Sequence, residues 1–560
     1  MDFEQVLLKA GGFGLFNKTA MMLVLVLSGF HTALYTLGHF LIMVTPFSQW
    51  CFPNGTVPSA DEISRLPKGK CQELRDFSSL VDYNETAFRE NLQFCPSGWQ
   101  YDRSEFFHTI TMENQWFCGN SWKLYAVHTT FWIGSMAGYL ICGILSDRIG
   151  RKKTAVILTL IGTGANVAGT FFTGLAGFAV CRFFTGMGSL AVNSVIFVLV
   201  MEYTVSHRRT LVAFVWATTW GVVGCAVPWY GYLTQSWRAL LYAAAVSDIL
   251  LLHCLLWIPE SPSWLLSAGR VAEAAHLLQR LASRNRRTVT REEILELLIG
   301  GDKGTTREST SLYESTKAML KMPRLRRITL IMYAAWFCIS LCYNGCVLEL
   351  GRLDLNIYAT YSIAMAFELP VDVFCILTLD VLGRRWPNTV FLVIGGAACI
   401  TMGLARIGSA AWRMTVAGLC LTTIAGSYTI TYQVASEVFP TVVRGRAVQL
   451  QRLIGDLGGL VGMQVAALAE RDRYLPVTVM GGISLAASVL VFFLPDTVHL
   501  ALPQTLEDSE HLADDRGICF CPLSLPIRSK GRLCWDSGQE DDEHDEHEDY
   551  VYNSDLETAA

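Results

Sequence analysis

The stretch Asp147-Arg-Ile-Gly-Arg-Lys-Lys153 separates two long apolar runs, and Asp380-Val-Leu-Gly-Arg-Arg385 separates two more in the other half of the chain. Each copy is followed by a second matching segment at the exit of an apolar run, Glu202 to Arg208 in the first half and Glu437 to Arg444 in the second. A repeat that spans whole halves indicates a duplicated membrane protein.

The composition supports a chain that is mostly embedded in a bilayer. Of its 560 residues, 52% are hydrophobic and 17% are charged, whereas an ordinary soluble domain has roughly 25% charged residues. Helices of about 20 apolar residues cross roughly 30 Å of hydrocarbon. We predict an all-α membrane protein whose twelve transmembrane helices form two pseudo-symmetric six-helix halves, with spans near 20–44, 123–145, 152–173, 177–201, 210–232, 238–257, 327–348, 354–379, 386–405, 411–436, 445–469 and 474–494.

The orientation follows from the basic residues in the short loops, because positive residues are retained in the cytoplasm during insertion. They collect on one side, at Arg148, Arg151, Lys152, Lys153, Arg208, Arg209, Arg384, Arg385, Arg444 and Arg446. We predict that this side is cytoplasmic, that both termini share it, and that the protein lies in the plasma membrane. The first run has no small-residue cleavage site, so we interpret it as a retained span.

These patterns divide the chain into five parts. The predicted parts are a cytoplasmic N-terminus, a first six-helix half with an extracellular loop, a cytoplasmic central loop with short helices, a second six-helix half, and a disordered acidic cytoplasmic tail. Their bounds are 1–19, 20–257 (with the loop at 45–122), 258–326, 327–495 and 496–560.

The extracellular loop has the composition of a small secreted domain. It holds four cysteines, Cys51, Cys71, Cys95 and Cys118, and two glycosylation sequons, at Asn54 and Asn84. An even number of cysteines in an oxidising compartment predicts two disulfides, whose pairing the sequence leaves open. The remaining cysteines are expected to be small packing residues.

Motifs for soluble chemistry fail in their context. Gly12 to Thr19 resembles a phosphate loop, but Asn17 stands where the second glycine belongs and no strand precedes it. Gly186 and Gly188 lie inside an apolar run, where small residues let helices pack closely. We therefore expect no enzyme activity, no cofactor, no metal, and neither nucleotide nor nucleic acid as a partner; transport would be driven by gradients.

Three further segments narrow the class of membrane protein: Trp99 to Ile110 with Glu113 and Cys118, Pro259-Glu-Ser-Pro-Ser-Trp264, and Glu437-Val-Phe-Pro-Thr441 with Arg444. With the duplicated Asp-x-x-Gly-Arg loops, they resemble the major facilitator superfamily and, within it, the organic ion transporters of the solute carrier 22 family, over nearly the whole chain. Ser263 departs from the usual Arg. The resemblance implies the major facilitator fold and transport by alternating access.

The charged loops also predict gates. Carboxylates at helix ends that face clustered arginines form charge-assisted bonds, which are expected to hold the inner faces of the two halves together and to break when the inner gate opens. The predicted gating residues are Asp147, Arg148, Arg151, Glu202, Arg208, Asp380, Arg384, Glu437 and Arg444.

Two acids lie deep in apolar runs, where an ionised residue costs about 2.5 to 3.5 kcal/mol. They are Asp456 in the eleventh run and Glu368 in the eighth. Under the resemblance, Asp456 falls where cation-transporting members carry aspartate and where anion and carnitine members commonly carry arginine. Glu368 matches an acid that is more widely shared across the family, so its charge is less diagnostic.

Aromatic residues would complete a cation site, since an ammonium over a ring face gains about 0.5 to 2 kcal/mol. Trp336 and Tyr343 lie two turns apart on one face of the seventh run. Both match aromatic positions in the family's cation pocket, and Tyr35 and Tyr432 resemble further lining residues.

Arg452 leaves the substrate charge open. It stands one turn before Asp456, and a pair between the two would leave the site nearly neutral and favour a zwitterion. We predict a polyspecific, potential-driven transporter of small organic cations, with a carnitine-like zwitterion or an organic anion as alternatives and a non-transporting membrane receptor as a remote one. Self-association into a homo-oligomer stays open.

Overall fold

A computed structural model of the protein describes most of the helical body. The described residues are 3–52, 71–74, 88–89, 94–96, 98–102, 107–205, 208–301, 317, 319–350, 356–404, 410–440, 443–470, 472–497, 503 and 506–511. The predicted glycosylation sites Asn54 and Asn84, and nearly all of the acidic tail, lie outside them. The side chain of Asp380 is likewise outside the description.

The first half is helical apart from its long loop. It has six long helices and two short ones. A π-helical turn, Asn17–Met21, extends the first long helix at its start. In chain order, the helices described are α1 (Phe3–Lys9), α2 (Met22–Ile42), α3 (Ile110–Glu113), α4 (Ser121–Ile149), α5 (Arg151–Ala168), α6 (Leu175–Glu202), α7 (Arg209–Thr234) and α8 (Trp237–Trp257).

The central segment forms short helices, as its weakly amphipathic sequence predicts. They are α9 (Pro262–Ser267), α10 (Val271–Arg284) and α11 (Arg291–Gly301). Ser261 caps α9, because its hydroxyl accepts a hydrogen bond from the backbone N–H of Trp264 at 3.2 Å. The buried positions of α10, such as Ala274 and Leu278, lie on one face of the helix.

The second half repeats the arrangement of the first. Its described helices are α12 (Pro323–Leu350), α13 (Ile357–Leu382), α14 (Arg385–Leu404), α15 (Ala410–Val438), α16 (Arg444–Ala467), α17 (Leu475–Phe492) and the short α18 (Leu506–Glu510). A 3₁₀ turn, Leu468–Glu470, follows α16.

The expected all-α architecture is confirmed, since each of the twelve predicted spans coincides with a long helix of the described chain. Ten of these helices are long and apolar enough to cross a membrane by length and composition. The other two, α5 and α16, carry several charges: α5 begins with Arg151, Lys152 and Lys153, and α16 contains Arg452 and Asp456. Two of these charges are among the predicted functional residues, Arg151 as a gating residue and Asp456 as a substrate residue.

Close packing in the first half depends on small residues, as expected for Gly186 and Gly188. A Cβ atom on Gly188 would lie 2.5 Å from the carbonyl oxygen of Leu158, and one on Gly186 would lie 2.2 Å from that of Phe131. Any side chain at these positions would therefore push α6 away from α5 and α4.

The long loop contains a small sheet held by two disulfides, as predicted. The strands β1 (Gln49–Cys51), β2 (Gln72–Leu74), β3 (Phe88–Arg89) and β4 (Trp99–Tyr101) lie in the order β3-β2-β1-β4, with β1 parallel to β2 and antiparallel to β4. The pairing that the sequence left open is Cys51 with Cys95 and Cys71 with Cys118. Trp99 and Phe117 pack against these cysteines.

A third bond was not predicted. Cys399 in α14 and Cys420 in α15 are joined, although the sequence suggested only packing roles for the cysteines inside the apolar runs. The two helices pack along one another, so their buried cysteines come into contact.

The duplicated motif forms the same turn in both halves. Gly150 and Gly383 follow the ends of α4 and α13 with φ of 105° and 78°, a left-handed region that side chains disfavour. We call this the hairpin end of the helices and the opposite end, which carries the paired cysteines of the loop, the disulfide end. At the hairpin end, the indole of Trp264 donates to the carbonyl oxygen of Asp147 at 2.9 Å, and Glu260 accepts from the backbone N–H of Lys152 at 2.9 Å.

Candidate functional site

The two acids that the sequence assigns to the substrate site both face the first half. Asp456, at the middle of α16, is 9% exposed and accepts a hydrogen bond from the hydroxyl of Ser135 in α4. Glu368 in α13 is 5% exposed and accepts from the hydroxyl of Tyr343 at 3.1 Å, while Trp220 in α7 faces the same carboxyl group. The structure therefore places both acids at the interface between the halves.

An aromatic cluster lies between these acids. The ring of Tyr428 in α15 is 4.3 Å from that of Trp336 and 5.8 Å from that of Tyr343, measured between centroids. Tyr432, one turn further along α15, is 6.1 Å from Trp336. Three of the four predicted aromatic residues are thus brought together, and Tyr428, which the sequence analysis missed, joins them.

Arg452 belongs to the same cluster but forms no ion pair with Asp456 among the described residues. Its guanidinium lies 4.7 Å from the ring centroid of Tyr432 and donates to the hydroxyl of Tyr428 at 3.4 Å. The expectation that the two charges might neutralise one another is not met in this conformation, because the aromatic rings draw Arg452 aside. The Asp456 carboxyl group keeps a neutral partner, Ser135.

Trp336 is held in place by a glycine on α16. A Cβ atom on Gly455 would lie 2.3 Å from the indole nitrogen of Trp336, and the carbonyl oxygen of Gly455 accepts from Ser340 at 2.7 Å. The indole N–H is buried and has no hydrogen-bond partner in the described part of the chain. A buried N–H group without a partner is uncommon in folded proteins.

A further acid extends the site. Asp372 lies one turn after Glu368 on α13, is half-buried, and accepts from the hydroxyl of Thr429 in α15 at 3.2 Å. The aromatic cluster therefore has three carboxyl groups near it, those of Asp456, Glu368 and Asp372, and one guanidinium group, that of Arg452. The sequence carried the signal, since Asp372 also interrupts an apolar run, and the test applied to Glu368 would have found it.

Tyr35 does not join this cluster. Its hydroxyl donates to Asp248 in α8, and its ring lies 4.6 Å from that of His31. Both partners belong to the first half, and Tyr35 is only 3% exposed. Tyr35 therefore lies in a buried polar cluster of the first half and not beside the predicted substrate residues. The central acid of that cluster, Asp248, was not predicted from the sequence.

The predicted gating residues pair within each half. Arg151 contacts Asp147 at 3.2 Å and Glu202 at 3.3 Å, all in the first half. In the second half, Arg384 contacts Glu437 at 3.1 Å. We expected such pairs to join the halves; instead, they tie neighbouring helix ends of one half together, because each arginine lies beside the acid of its own duplicated unit.

The other predicted gating residues take different places. Arg148 and Arg208 are exposed at the hairpin end. Arg444 donates through its Nε to the carbonyl oxygen of Phe439 at 2.9 Å, which fixes the start of α16.

One contact between the halves at the disulfide end is made by aromatic rings. Tyr358, in the first turn of α13, lies 5.1 Å from Tyr232 and 6.1 Å from Trp229, both on α7, between ring centroids. Its hydroxyl accepts from the backbone N–H of Phe107 at 2.7 Å. Below it, Ser362 donates to the carbonyl oxygen of Cys225 at 2.8 Å.

Known proteins share the fold of this chain. The family model of the Major Facilitator Superfamily matches residues 119–463. Two solved structures of a xylose transporter from E. coli share the fold. The inward open form has a TM-score of 0.55 and 17% identity over 88% of this chain and 98% of that one. The partially occluded inward open form has a TM-score of 0.57 and 15% identity over 86% and 99%.

Curated relatives resemble the chain over nearly its full length. Solute carrier family 22 member 7 from Homo sapiens is 30% identical over 91% of this chain and 96% of its own. Member 3 from Rattus norvegicus is 28% identical over 92% and 96%, and organic cation transporter 1 from Caenorhabditis elegans is 25% identical over 91% and 88%. The chain therefore belongs to the major facilitator superfamily and, within it, to the solute carrier 22 family, as a multi-pass membrane transporter and not an enzyme.

Proposed function

We propose that this transporter moves small organic cations by alternating access, with the membrane potential as the driving force. The observation that carries the proposal is the state of Asp456, which is buried at mid-span and bonded to Ser135 of the opposite half. A buried carboxyl group that lacks a cationic partner from the protein has the chemistry to accept one from a ligand.

The surroundings of Asp456 suit such a ligand. The rings of Trp336, Tyr428 and Tyr343 lie between Asp456 and Glu368, and each ring face that meets an ammonium would contribute about 0.5 to 2 kcal/mol. Aromatic walls accept many shapes, which agrees with a polyspecific transporter. A negative interior would draw a monovalent cation inward with about 2.3 kcal/mol per 100 mV.

The contacts between the halves suggest how access alternates. Each acid bonds to a residue of the first half, Asp456 to Ser135 and Glu368 to Trp220, so their environment must change when the halves move apart. The ion pairs of the hairpin end, in contrast, stiffen each half and let it move as one body. We place the hairpin end and both termini in the cytoplasm of a plasma-membrane protein, and the loop outside, glycosylated at Asn54 and Asn84.

An uptake panel tests the proposal. Cells that express the protein are offered a quaternary ammonium such as tetraethylammonium, carnitine, and an aromatic carboxylate, at two membrane potentials. We expect uptake of the ammonium that rises with a more negative interior. Uptake of the carboxylate alone, or ammonium uptake that ignores the potential, would overturn the proposal.

A carnitine-like zwitterion is the second candidate, and Arg452 is the observation that favours it. Arg452 and Asp456 are one turn apart and unpaired, so one could hold a carboxylate while the other holds an ammonium. Under this alternative, carnitine would be taken up and the Arg452→Gln variant would lose it. Under the cation proposal, the same variant keeps ammonium uptake.

A further inference from the structure

A second buried polar cluster lies in the first half, away from the proposed substrate site. Its centre is Asp248 in α8, which is fully buried. The carboxyl group accepts hydrogen bonds from the hydroxyls of Tyr35 in α2 and Thr163 in α5, and its other oxygen contacts Nδ1 of His31. Placing an ionisable group inside a membrane costs free energy, and Asp248 is not part of the proposed substrate site.

The hydrogen bonds of His31 determine where its protons are. Nε2 lies 2.9 Å from the carbonyl oxygen of Ser189, which can only accept, so Nε2 carries a hydrogen. Nδ1 then has a lone pair unless a second proton is bound. Since Nδ1 contacts a carboxylate oxygen of Asp248, one proton must lie between them. Without that proton, two acceptors would face each other and the contact would be repulsive.

The charges near His31 determine how its second proton changes the net charge of the first half. On α6, Arg182 is 1% exposed, bonds to the amide oxygen of Asn166 at 3.1 Å and interacts electrostatically with Tyr35, which also donates to Asp248. In the sum of charges, Arg182 offsets the carboxylate of Asp248. On α2 and α4, His39 and His128 share one hydrogen bond at 2.9 Å, and among the described contacts neither is paired with the carboxyl group of Asp248. Tyr35 lies between these groups on α2.

The other described side chains that approach α2 near His31 are uncharged. On α7, Trp216 and Thr219 approach α2 beside Gly29. On α5, Thr163 offers only a hydroxyl. With Arg182 and Asp248 balanced, the first half gains one positive charge when His31 binds its second proton and loses it when that proton leaves.

A purely structural role would not require this arrangement. A glutamine at position 31 could donate to Ser189 or Asp248 without an ionisable ring in the membrane. The histidine instead forms a contact that is attractive with the proton and repulsive without it. Loss of this proton must therefore change how α2 packs on α8. Both helices belong to the first half, which moves relative to the second half during transport.

We propose that the His31–Asp248 pair is a binding site for a transported proton, and that the organic cation moves in the same direction as this proton, so that the membrane potential drives both; this rests on the proposed function. In each cycle, a proton from water on one side forms the N–H bond at Nδ1 of His31. On the other side that bond breaks and the proton returns to water, so that no other reactant is needed.

The first test uses the purified full chain in liposomes that contain a pH-sensitive dye. Tetraethylammonium is added outside, and the internal pH and the uptake are recorded together. We expect a fall of internal pH with uptake in the wild type, loss of that fall in His31→Gln, and a normal fall in His253→Gln, whose exposed histidine on α8 is the matched control. Uptake by the wild type without any pH change would overturn the coupling.

A second test does not depend on a substrate. Infrared titration compares the purified proteins in detergent. The wild-type spectrum minus that of His31→Gln should contain one imidazole that binds a proton, and His253→Gln should retain that band. The Thr163→Val variant, which removes one donor to Asp248 at nearly constant volume, should shift that titration to higher pH. If all variants titrate alike, the proton site is wrong even where transport is intact. If tetraethylammonium is not transported but the imidazole titrates as expected, only the substrate proposal fails.

Discussion

The two halves bury their acids in different ways, although they descend from one duplicated pattern. In the first half, Asp248 receives its partners His31, Tyr35 and Thr163 from helices of the same half. In the second half, Asp456 depends on Ser135 from the opposite half. An acid that is satisfied within one half keeps its partners when the halves move, whereas an acid that is satisfied across the interface must exchange them. The second arrangement suits an organic ligand that binds between the halves and is released when they move.

The largest expected effect is at Asp456. Replacing it by asparagine removes the charge but keeps the size, so we expect ammonium uptake to fall by at least about thirtyfold, which corresponds to about 2 kcal/mol. Uptake would be measured at equal surface expression. Asp456→Glu is the matched control and should recover part of the activity. Full activity in Asp456→Asn would show that the cross-interface acid does not bind the substrate.

Arg452 should have the next largest effect, with the opposite sign. Its positive charge lies one turn from Asp456 and opposes a cation in the same site, so Arg452→Gln should lower the KM for tetraethylammonium on the order of tenfold. Arg452→Lys, which keeps the charge, serves as the control. A rise in KM in both variants would mean that Arg452 supports the site through its contact with Tyr432.

The ion pairs of the hairpin end test whether each half is stiffened by itself. In a double-mutant cycle of Arg384→Gln and Glu437→Gln, we expect a coupling of about 1 kcal/mol in the free energy of unfolding, because the two side chains are in contact. Combining Arg384→Gln with Glu202→Gln, in the other half, should give additive effects. Strong coupling across the halves would contradict the pairing within each half.

The smallest effect is expected at Glu113, which accepts from both guanidinium Nη atoms of Arg238 and from the indole of Trp237 at 2.8 to 2.9 Å. Burial raises the pKa of Glu113, but the hydrogen bonds from Arg238 and Trp237 outweigh it and hold the pKa below its ordinary value of 4.5. Because the folded pKa is the lower one, this stabilisation is present above about pH 4.5 and is lost as the pH falls through the folded pKa.

Glu113→Gln should therefore cost less than about 1 kcal/mol near pH 7, since the pair is partly exposed. Its Tm should also fall less steeply with acid than that of the wild type. An unchanged acid dependence in Glu113→Gln would assign the acid sensitivity to other groups.

Much of the fold was predictable because its determinants are periodic or local. The apolar runs predicted the twelve helices, and Gly150 and Gly383 marked the duplicated turns. The partners of the acids were not predictable, since Ser135 is more than three hundred positions from Asp456 and hydroxyl residues are common in apolar runs. Asp248 and Asp372 also interrupt apolar runs, but the resemblance implies a substrate role only for Asp456 and Glu368, so neither of the other two acids was predicted.

The contact around Tyr358 has a consequence for how the protein opens. Phe107, Trp229 and Tyr232 meet it through rings and one backbone bond, without a formal charge. Ionic strength screens salt bridges but does not weaken an apolar contact. Parting the halves on this side requires wetting of aromatic surface, a barrier that strongly hydrated anions such as sulfate raise and that cooling lowers. Solution conditions can thus bias which side of the transporter faces water, without any change in its sequence.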